Sequence, residues 1–378
     1  MSVRTVCIIQ AVAKQYRRPF FDLLYERLQS EGIVLKVVYS KPNDKEALRK
    51  DALDLPITYG HKVRAYWFAG YRLLYQPCLG QAIAADLVIV EQASKHLLNY
   101  MFVVLRVFGL VRMAYWGHGR NWQQDGSQWM ELVKRILLRR ADWWFAYTAR
   151  VAQYVVDNGF ASDRVTVVQN SVDLESFKKE LGAFDDRRKL ALRGSLGISA
   201  EASVGLFCGS MHVSKKLDFL VQAALDIHAR VPGFHLVLVG AGPEESVARE
   251  AAATHEWIHY VGPRFGADKA AYFAIADIFL CPGLVGLAVL EAFSAGLPLF
   301  TTNIPLHSPE IDYLTDSVNG AMTDFDPRSY AEVVSACFHD PVSLRRMRES
   351  AREASEAFGL ECMVDNYVQG VLACLNKS

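Results

Sequence analysis

Apolar and polar positions alternate along this chain in blocks that predict strand, helix, strand over most of its length. Residues 3–10 form an apolar run, which reads as a strand. A polar loop, 11–18, follows, and Pro19 suits the first turn of a helix running to about Ser30. Residues 33–39, 86–91, 111–116, 143–148 and 165–169 read as further strands, with helices at 71–84, 97–108, 129–140 and 151–158. Residues 41–54 are polar and charged, a loop or short helix. The segment 173–202 is charged without strand pattern, so a linker is expected there. The pattern then restarts with strands at 204–208, 235–239 and 257–261 and helices at 217–230, 244–254 and 268–276, and everything from Ser329 on reads helical. The expectation is an α/β chain with two Rossmann-like, doubly wound parallel-sheet domains, residues 1–180 and 181–355. A C-terminal helix, 356–378, is expected to pack back on the first domain.

The stretch 279–302, FLCPGLVGLAVLEAFSAGLPLFTT, concentrates this pattern. An apolar run ends at Cys281, and Pro282, Gly283 and Gly286 break it. Apolar residues then recur at helical spacing (Leu287, Leu290, Ala292, Phe293) until Gly296 and Pro298 stop the helix. A helix that starts in a glycine turn after a parallel strand offers unpaired N–H groups and a positive dipole end, which suits a phosphate. Glu291, one turn in, is placed to accept hydrogen bonds from a sugar hydroxyl. A diphosphate beside a ribose is a nucleotide. The same residues also fit one more strand–helix–strand unit with a solvated glutamate.

In open α/β sheets, ligands sit beyond the carboxyl ends of the strands. Five loops are predicted there: 11–18, 117–121, 209–216, 262–266 and 282–286. A ligand touching all five would lie in a cleft between the two domains. In the third loop, Gly209 lets a ligand approach the backbone, and Lys215 and Lys216 open a helix, where cations are disfavoured unless an anion is present. A solvated lysine pair is the plainer alternative. Gly240-Ala241-Gly242 reads as a turn. His118, between Gly117 and Gly119 at a strand end, is either a structural histidine or one with room for substrate beside it. No Walker A loop, GxSxG elbow, HExxH or clustered His/Cys set occurs, so no metal site is expected. Lysines, a helix start, one glutamate and one histidine can bind a nucleoside diphosphate and stabilise its departure.

Composition adds scale. The chain has 378 residues, 51% of them hydrophobic, enough for two cores. Seven cysteines without a CxxC pair, and a start without a signal peptide, point to reduced thiols in the cytoplasm. Net charge is zero, but residues 1–150 hold 22 Lys and Arg against 12 Asp and Glu, a difference of +10, balanced by 19 against 29 in the rest. Such a basic half meets an anionic partner or is a bias with none. A membrane surface, reached through the basic helix 129–140, is preferred to nucleic acid, because Trp143, Trp144 and Tyr147 fall in a predicted strand.

The second half resembles the nucleotide-binding domain of the family 4 (group 1) glycosyltransferases of GT-B fold. The resemblance rests on GLFCGSMHVSKKLDFLVQA (205–223), FHLVLVGAGPE (234–244), WIHYVG (257–262), GLAVLEAFSAGLPLF (286–300) and SPEIDYLTDSVNG (308–320). YWGHGRN (115–121) and VTVVQNSVD (165–173) extend it to the first half. It implies a retaining, metal-independent transfer of a sugar from a nucleotide diphosphate donor, with no cofactor beyond that co-substrate. The acceptor would be a saccharide or lipid-linked sugar in cell-surface polysaccharide or glycoconjugate synthesis, with the protein cytoplasmic or peripheral on the inner membrane face. The same fold also serves sugar-nucleotide epimerases and non-catalytic nucleotide-sugar binders. By resemblance Lys215 neutralises the diphosphate, Glu291 is the second Glu of the EX7E motif and holds the ribose, and His118 lies near the transferred sugar. Gly209, Ser210, Lys216, Gly262, Arg264, Gly283, Leu284, Val285, Gly286 and Leu287 would line the donor site. Arg17, Arg18 and Arg120 would face the acceptor. Three positions depart from the family. Gly283 stands for the first Glu of EX7E. Ser210 stands for an arginine, whose charge Lys216 or Arg264 would replace. Loop 11–18 lacks the usual Gly-Gly. The departures imply altered donor contacts or lost activity.

Overall fold

A computed structural model of the chain describes residues 3–44, 52–119, 137–305 and 307–377. It divides into two compact units, Met1–Val172 with Leu360–Ser378, and Asp173–Gly359.

The first unit is built on seven parallel strands: β1 Arg4–Val12, β2 Ile33–Ser40, β3 Gly60–Val63, β6 Leu87–Glu91, β7 Met113–Gly117, β8 Trp143–Ala146 and β9 Val165–Val167. Their order is β3-β2-β1-β6-β7-β8-β9, so the winding reverses between β1 and β6. The apolar runs are continuous because both faces are covered by helices. Helix Arg18–Ser30 buries Phe20, Phe21, Leu24 and Leu28 on one face. The last helix, Leu360–Asn376, returns to this unit. Its Tyr367 stacks on Phe145 at 4.4 Å and meets Phe20 edge-on at 5.3 Å.

The second unit holds β10 Val204–Cys208, β11 His235–Val239, β12 Ile258–Gly262, β13 Ile278–Leu280, β14 Leu299–Thr302 and β15 Gly320–Thr323. All pair in parallel, in the order β12-β11-β10-β13-β14-β15, and the winding reverses between β10 and β13. A reversal of this kind opens a crevice at the carboxyl ends of the two central strands.

Several expectations are corrected. The first unit ends at Val172, not at residue 180, and the second runs to Gly359 rather than 355. The expected linker holds two helices, Glu175–Gly182 and Asp186–Ser195. Phe177 of the first packs edge-on against Phe273 of the second unit at 5.2 Å, so the chain has already changed units. Helix Asp186–Ser195 buries no residue and shows no apolar stripe, but Asp185 caps it by accepting the Arg188 N–H at 2.8 Å. The helix expected over 71–84 is instead a two-stranded ribbon, β4 Tyr66–Phe68 and β5 Leu73–Tyr75, followed by a short helix at Leu79–Ile83. The turn between the strands places Ala69, Gly70 and Tyr71 all at positive φ, which apolar spacing does not reveal. The helical tail is broken at Asp340-Pro341, where proline cannot continue a helix, and at Phe358-Gly359. Of the helix expected over 129–140, residues 129–136 lie outside the described residues.

Candidate functional site

The crevice of the second unit is formed by the segments that leave β10 and β13. After β10 the chain passes Gly209 and the exposed Ser210 into a 3-10 turn, Val213–Lys215, and then helix Leu217–Arg230. After β13 it turns through Pro282 to Leu287 and enters helix Ala288–Ser294.

These two segments are locked together. The Leu284 N–H donates to the Ser214 carbonyl at 2.8 Å. The Lys215 ammonium donates back to the Leu284 carbonyl. Between them lies Gly283, fully packed. A Cβ there would run into the Ser214 carbonyl oxygen and lie 2.6 Å from Lys215 Cα. Glycine is therefore demanded by a backbone-to-backbone contact. Nor is this position a site vacated by a side chain, because no side chain fits.

Two N–H groups of the turn already have acceptors within the protein. The Leu284 N–H is used by Ser214, and the Val285 N–H donates to His307 Nδ1 at 3.2 Å. His307 Nε2 in turn donates to the Thr302 carbonyl at 2.7 Å, a tautomer assigned by these bonds. Gly286 and Leu287 keep N–H groups for which no acceptor is found among the described residues.

Glu291 is not solvated. Its Oε1 lies 2.5 Å from Lys269 Nζ, and both side chains are about four-fifths buried. Lys269 comes from helix Gly266–Ile275, after β12. It was not expected, since it sits inside a predicted helix 22 residues before its partner. The charges of Lys215, Lys269 and Glu291 converge on the end of β10. There the Cys208 thiol is pushed up to about 12, by burial first and the Glu291 charge second, with Lys269 and Lys215 opposing them.

Lys216 and Lys215 diverge. The Lys216 ammonium lies over the Phe325 ring at 5.9 Å, in a shallow hollow with Asp218, Gln222 and Glu244. It takes a different partner from Lys215, so the expectation that it replaces the charge absent at Ser210 is not supported. Its backbone is left-handed, φ 58° and ψ 50°, which costs a side-chain-bearing residue about 1–2 kcal/mol. Lys216→Gly should raise stability by about 0.5–1 kcal/mol once the flexibility of glycine in the unfolded chain is set against that strain. A urea midpoint that falls instead would show that the Phe325 contact outweighs the strain. Gly262 ends β12 at φ 73°, and Arg264 beyond it is exposed.

In the first unit, His118 follows β7, with its ring 4.7 Å from that of Tyr147. Burial first, and the Arg17 charge second, lower its pKa. By surface area the residue is exposed, although the packing around the ring is dense. The downward shift leaves a neutral imidazole at pH 7. Arg17, expected to face an acceptor, is 5% exposed. Its guanidinium donates to Asn170 Oδ1 at 2.5 Å and the Tyr147 hydroxyl at 3.2 Å, and lies 5.1 Å from the Trp116 ring centroid. It ties the turn after β1 to the ends of β7, β8 and β9. Arg18 is exposed and pairs with Asp22 one turn on at 3.4 Å, a contact of small energetic weight. Arg120 lies outside the described residues. Among the described residues no group of three or more His, Cys, Asp or Glu is arranged to hold a metal ion.

Comparison with known proteins places this geometry. A family model described as "Glycosyl transferases group 1" matches residues 202–340, and one described as "Glycosyltransferase Family 4" matches residues 20–176. The chain is 30% identical over 227 residues to a D-inositol 3-phosphate glycosyltransferase of Xylanimonas cellulosilytica, covering 55% of this chain and 52% of the relative. It thus spans about half the length of the first curated relatives it matches. It is 24% identical to an uncharacterized protein in the cps region of Klebsiella pneumoniae, over 68% of this chain and 70% of that one. In fold it is similar to Anabaena HepE in complex with UDP, with a TM-score of 0.71, 16% identity, and 98% and 99% of the two chains covered.

Proposed function

We propose that this chain, which belongs to the group 1 glycosyltransferases, transfers a sugar from a nucleotide diphosphate donor to an acceptor hydroxyl, with retention of configuration and without a metal ion. The interlock of Lys215 with the Gly283 turn, at the reversal point between β10 and β13, carries this reading. It fixes a cation where a diphosphate would sit, and the N–H groups of Gly286 and Leu287 add neutral donors. As the bond from the anomeric carbon to the diphosphate breaks, these groups take up the charge that develops on the leaving oxygen. Glu291 accepts hydrogen bonds from the ribose. His118, neutral at pH 7, hydrogen-bonds a hydroxyl of the transferred sugar.

A thermal-shift panel of nucleoside diphosphates and their sugars tests the reading, with UDP first because the similar Anabaena structure holds it. A ligand at a hundred times its Kd stabilises by about 2.7 kcal/mol, so the matching nucleotide should stand clear of the rest. If none shifts the melting temperature, the donor reading fails. Interconversion of donor sugars with no acceptor present would make the protein an epimerase.

A lipid-linked acceptor at an anionic membrane, in polysaccharide or glycoconjugate synthesis, is supported by helix Leu97–Val107. No helix among the described residues is long and apolar enough to cross a membrane. This helix nevertheless exposes Met101, Val104 (55%) and Val107 (64%) on one face, continued by Phe108 (73%) and Leu110. Residues 60–112 hold six Lys and Arg against two Asp and Glu. Two of the cations lie over aromatic rings of the adjoining ribbon, Arg64 over Tyr66 and Lys95 over Trp67. An apolar stripe on a helix that packs beside a ribbon overlaid by Arg64 and Lys95 fits the surface of an anionic bilayer. The protein should float with phosphatidylglycerol vesicles at low salt and not with phosphatidylcholine, and V104E/V107E should abolish the binding. Absence of binding to the anionic vesicles would instead indicate a soluble acceptor.

A further inference from the structure

We infer that Lys269 is a positioning residue for the nucleotide: it holds the Glu291 carboxylate in the orientation that meets the ribose. The inference rests on the donor reading above and adds a residue that reading does not contain.

The contact is close and partly shielded. Lys269 Nζ is 2.5 Å from Glu291 Oε1, and the side chains are 23% and 20% exposed. Attraction between partly buried charges is stronger than between exposed ones, so the pair resists rotation of the carboxylate. Lys269 is itself held. Its ammonium lies 5.7 Å from the Phe177 ring centroid, and Phe177 packs edge-on against Phe273 of the helix that carries Lys269. The two partners come from helices that follow β12 and β13, strands of one sheet with β11 and β10 between them. Only Oε1 is engaged by the lysine, and no partner for Oε2 is found among the described residues. A carboxylate fixed at one oxygen offers the other in a set direction, which lowers the ordering cost when a hydroxyl binds.

The partners also separate the roles of the two lysines. Lys215 rests on a neutral carbonyl, that of Leu284, and keeps an uncompensated charge for a diphosphate. Lys269 rests on a carboxylate, so its charge is already matched where it stands. That division assigns Lys215 to the phosphates and Lys269 to Glu291. The thiol of Cys208, which senses all three charges, places them at one strand end.

The experiment compares UDP, 2′,3′-dideoxyuridine diphosphate and inorganic pyrophosphate by calorimetry on the wild type, K269M and K269R. The wild type should prefer UDP to the dideoxy compound roughly tenfold or more, as expected for hydroxyls bonded to a charged group. K269M should shrink that preference to about threefold or less, leave pyrophosphate affinity unchanged, and K269R should restore the preference. K269Q repeats the comparison if K269M does not fold. An unchanged preference in K269M, on a wild type that binds UDP, overturns this inference alone. So does an equal loss of all three ligands, which would put Lys269 directly on the phosphates or make it structural. A wild type that binds none of the three overturns the donor reading, and this inference with it.

Discussion

Lys215→Ala is expected to cut sugar transfer about 10²-fold or more, because it removes the fixed cation that receives charge from the departing diphosphate. Loss of one preorganised donor of this kind costs about 3 kcal/mol in the transition state. The loss should appear in kcat as well as in kcat/KM, since the charge on the bridging oxygen grows as the bond breaks. Stability should change far less. The residue is half-buried, and its absence leaves only the Leu284 carbonyl without the ammonium, a neutral acceptor near solvent worth about 1 kcal/mol. The two effects are read separately, by initial rates with a labelled donor and by a urea melt. Turnover within threefold of wild type on a folded variant would remove Lys215 from the mechanism. Lys215→Arg is expected to recover only part of the rate, because a planar guanidinium does not repeat the contact of a compact ammonium with one carbonyl.

The residues that follow strands were legible in the sequence, and the reasons some were misread are physical. Alternating apolar blocks located β10 and β13, and glycine-bearing turns after them located Lys215 and Glu291. Parallel winding then brings both to one crevice. Lys269 was not legible because periodicity describes an element's faces, not which side chain of another element it meets. Arg17 was misread for the opposite reason. The resemblance sets it toward an acceptor, yet the ends of β7, β8 and β9 supply Trp116, Tyr147 and Asn170 to enclose it. Helix Asp186–Ser195 escaped because helices that bury nothing have no apolar stripe, and its capping aspartate was the one local signal. Gly283 was the most instructive residue. Sequence comparison presents it as a carboxylate that is missing, whereas the packing presents it as a glycine that is required.

That difference sets the second large effect. Gly283→Ala is expected to destabilise the protein by about 3 kcal/mol, the upper part of the range for forcing a methyl group into filled space. The obstacle is backbone, the carbonyl of Ser214 and Cα of Lys215, rather than the tip of a flexible side chain. Relief requires the two segments to part, which breaks the Leu284 N–H to Ser214 bond and carries Lys215 away from the Leu284 carbonyl. Gly283→Glu, which restores the side chain expected from the family resemblance, should therefore lower both stability and transfer rather than improve the hold on the sugar. Donor binding distinguishes this from Lys215→Ala. The lysine variant loses one charge in an intact crevice, while the glycine variants displace the lysine and deform the neighbouring turn, which also carries the N–H groups of Gly286 and Leu287. Their pyrophosphate affinity should fall below that of Lys215→Ala. A Gly283→Ala protein with wild-type urea midpoint and pyrophosphate affinity would mean that the segments after β10 and β13 separate freely. The cation would then be held by something other than this contact.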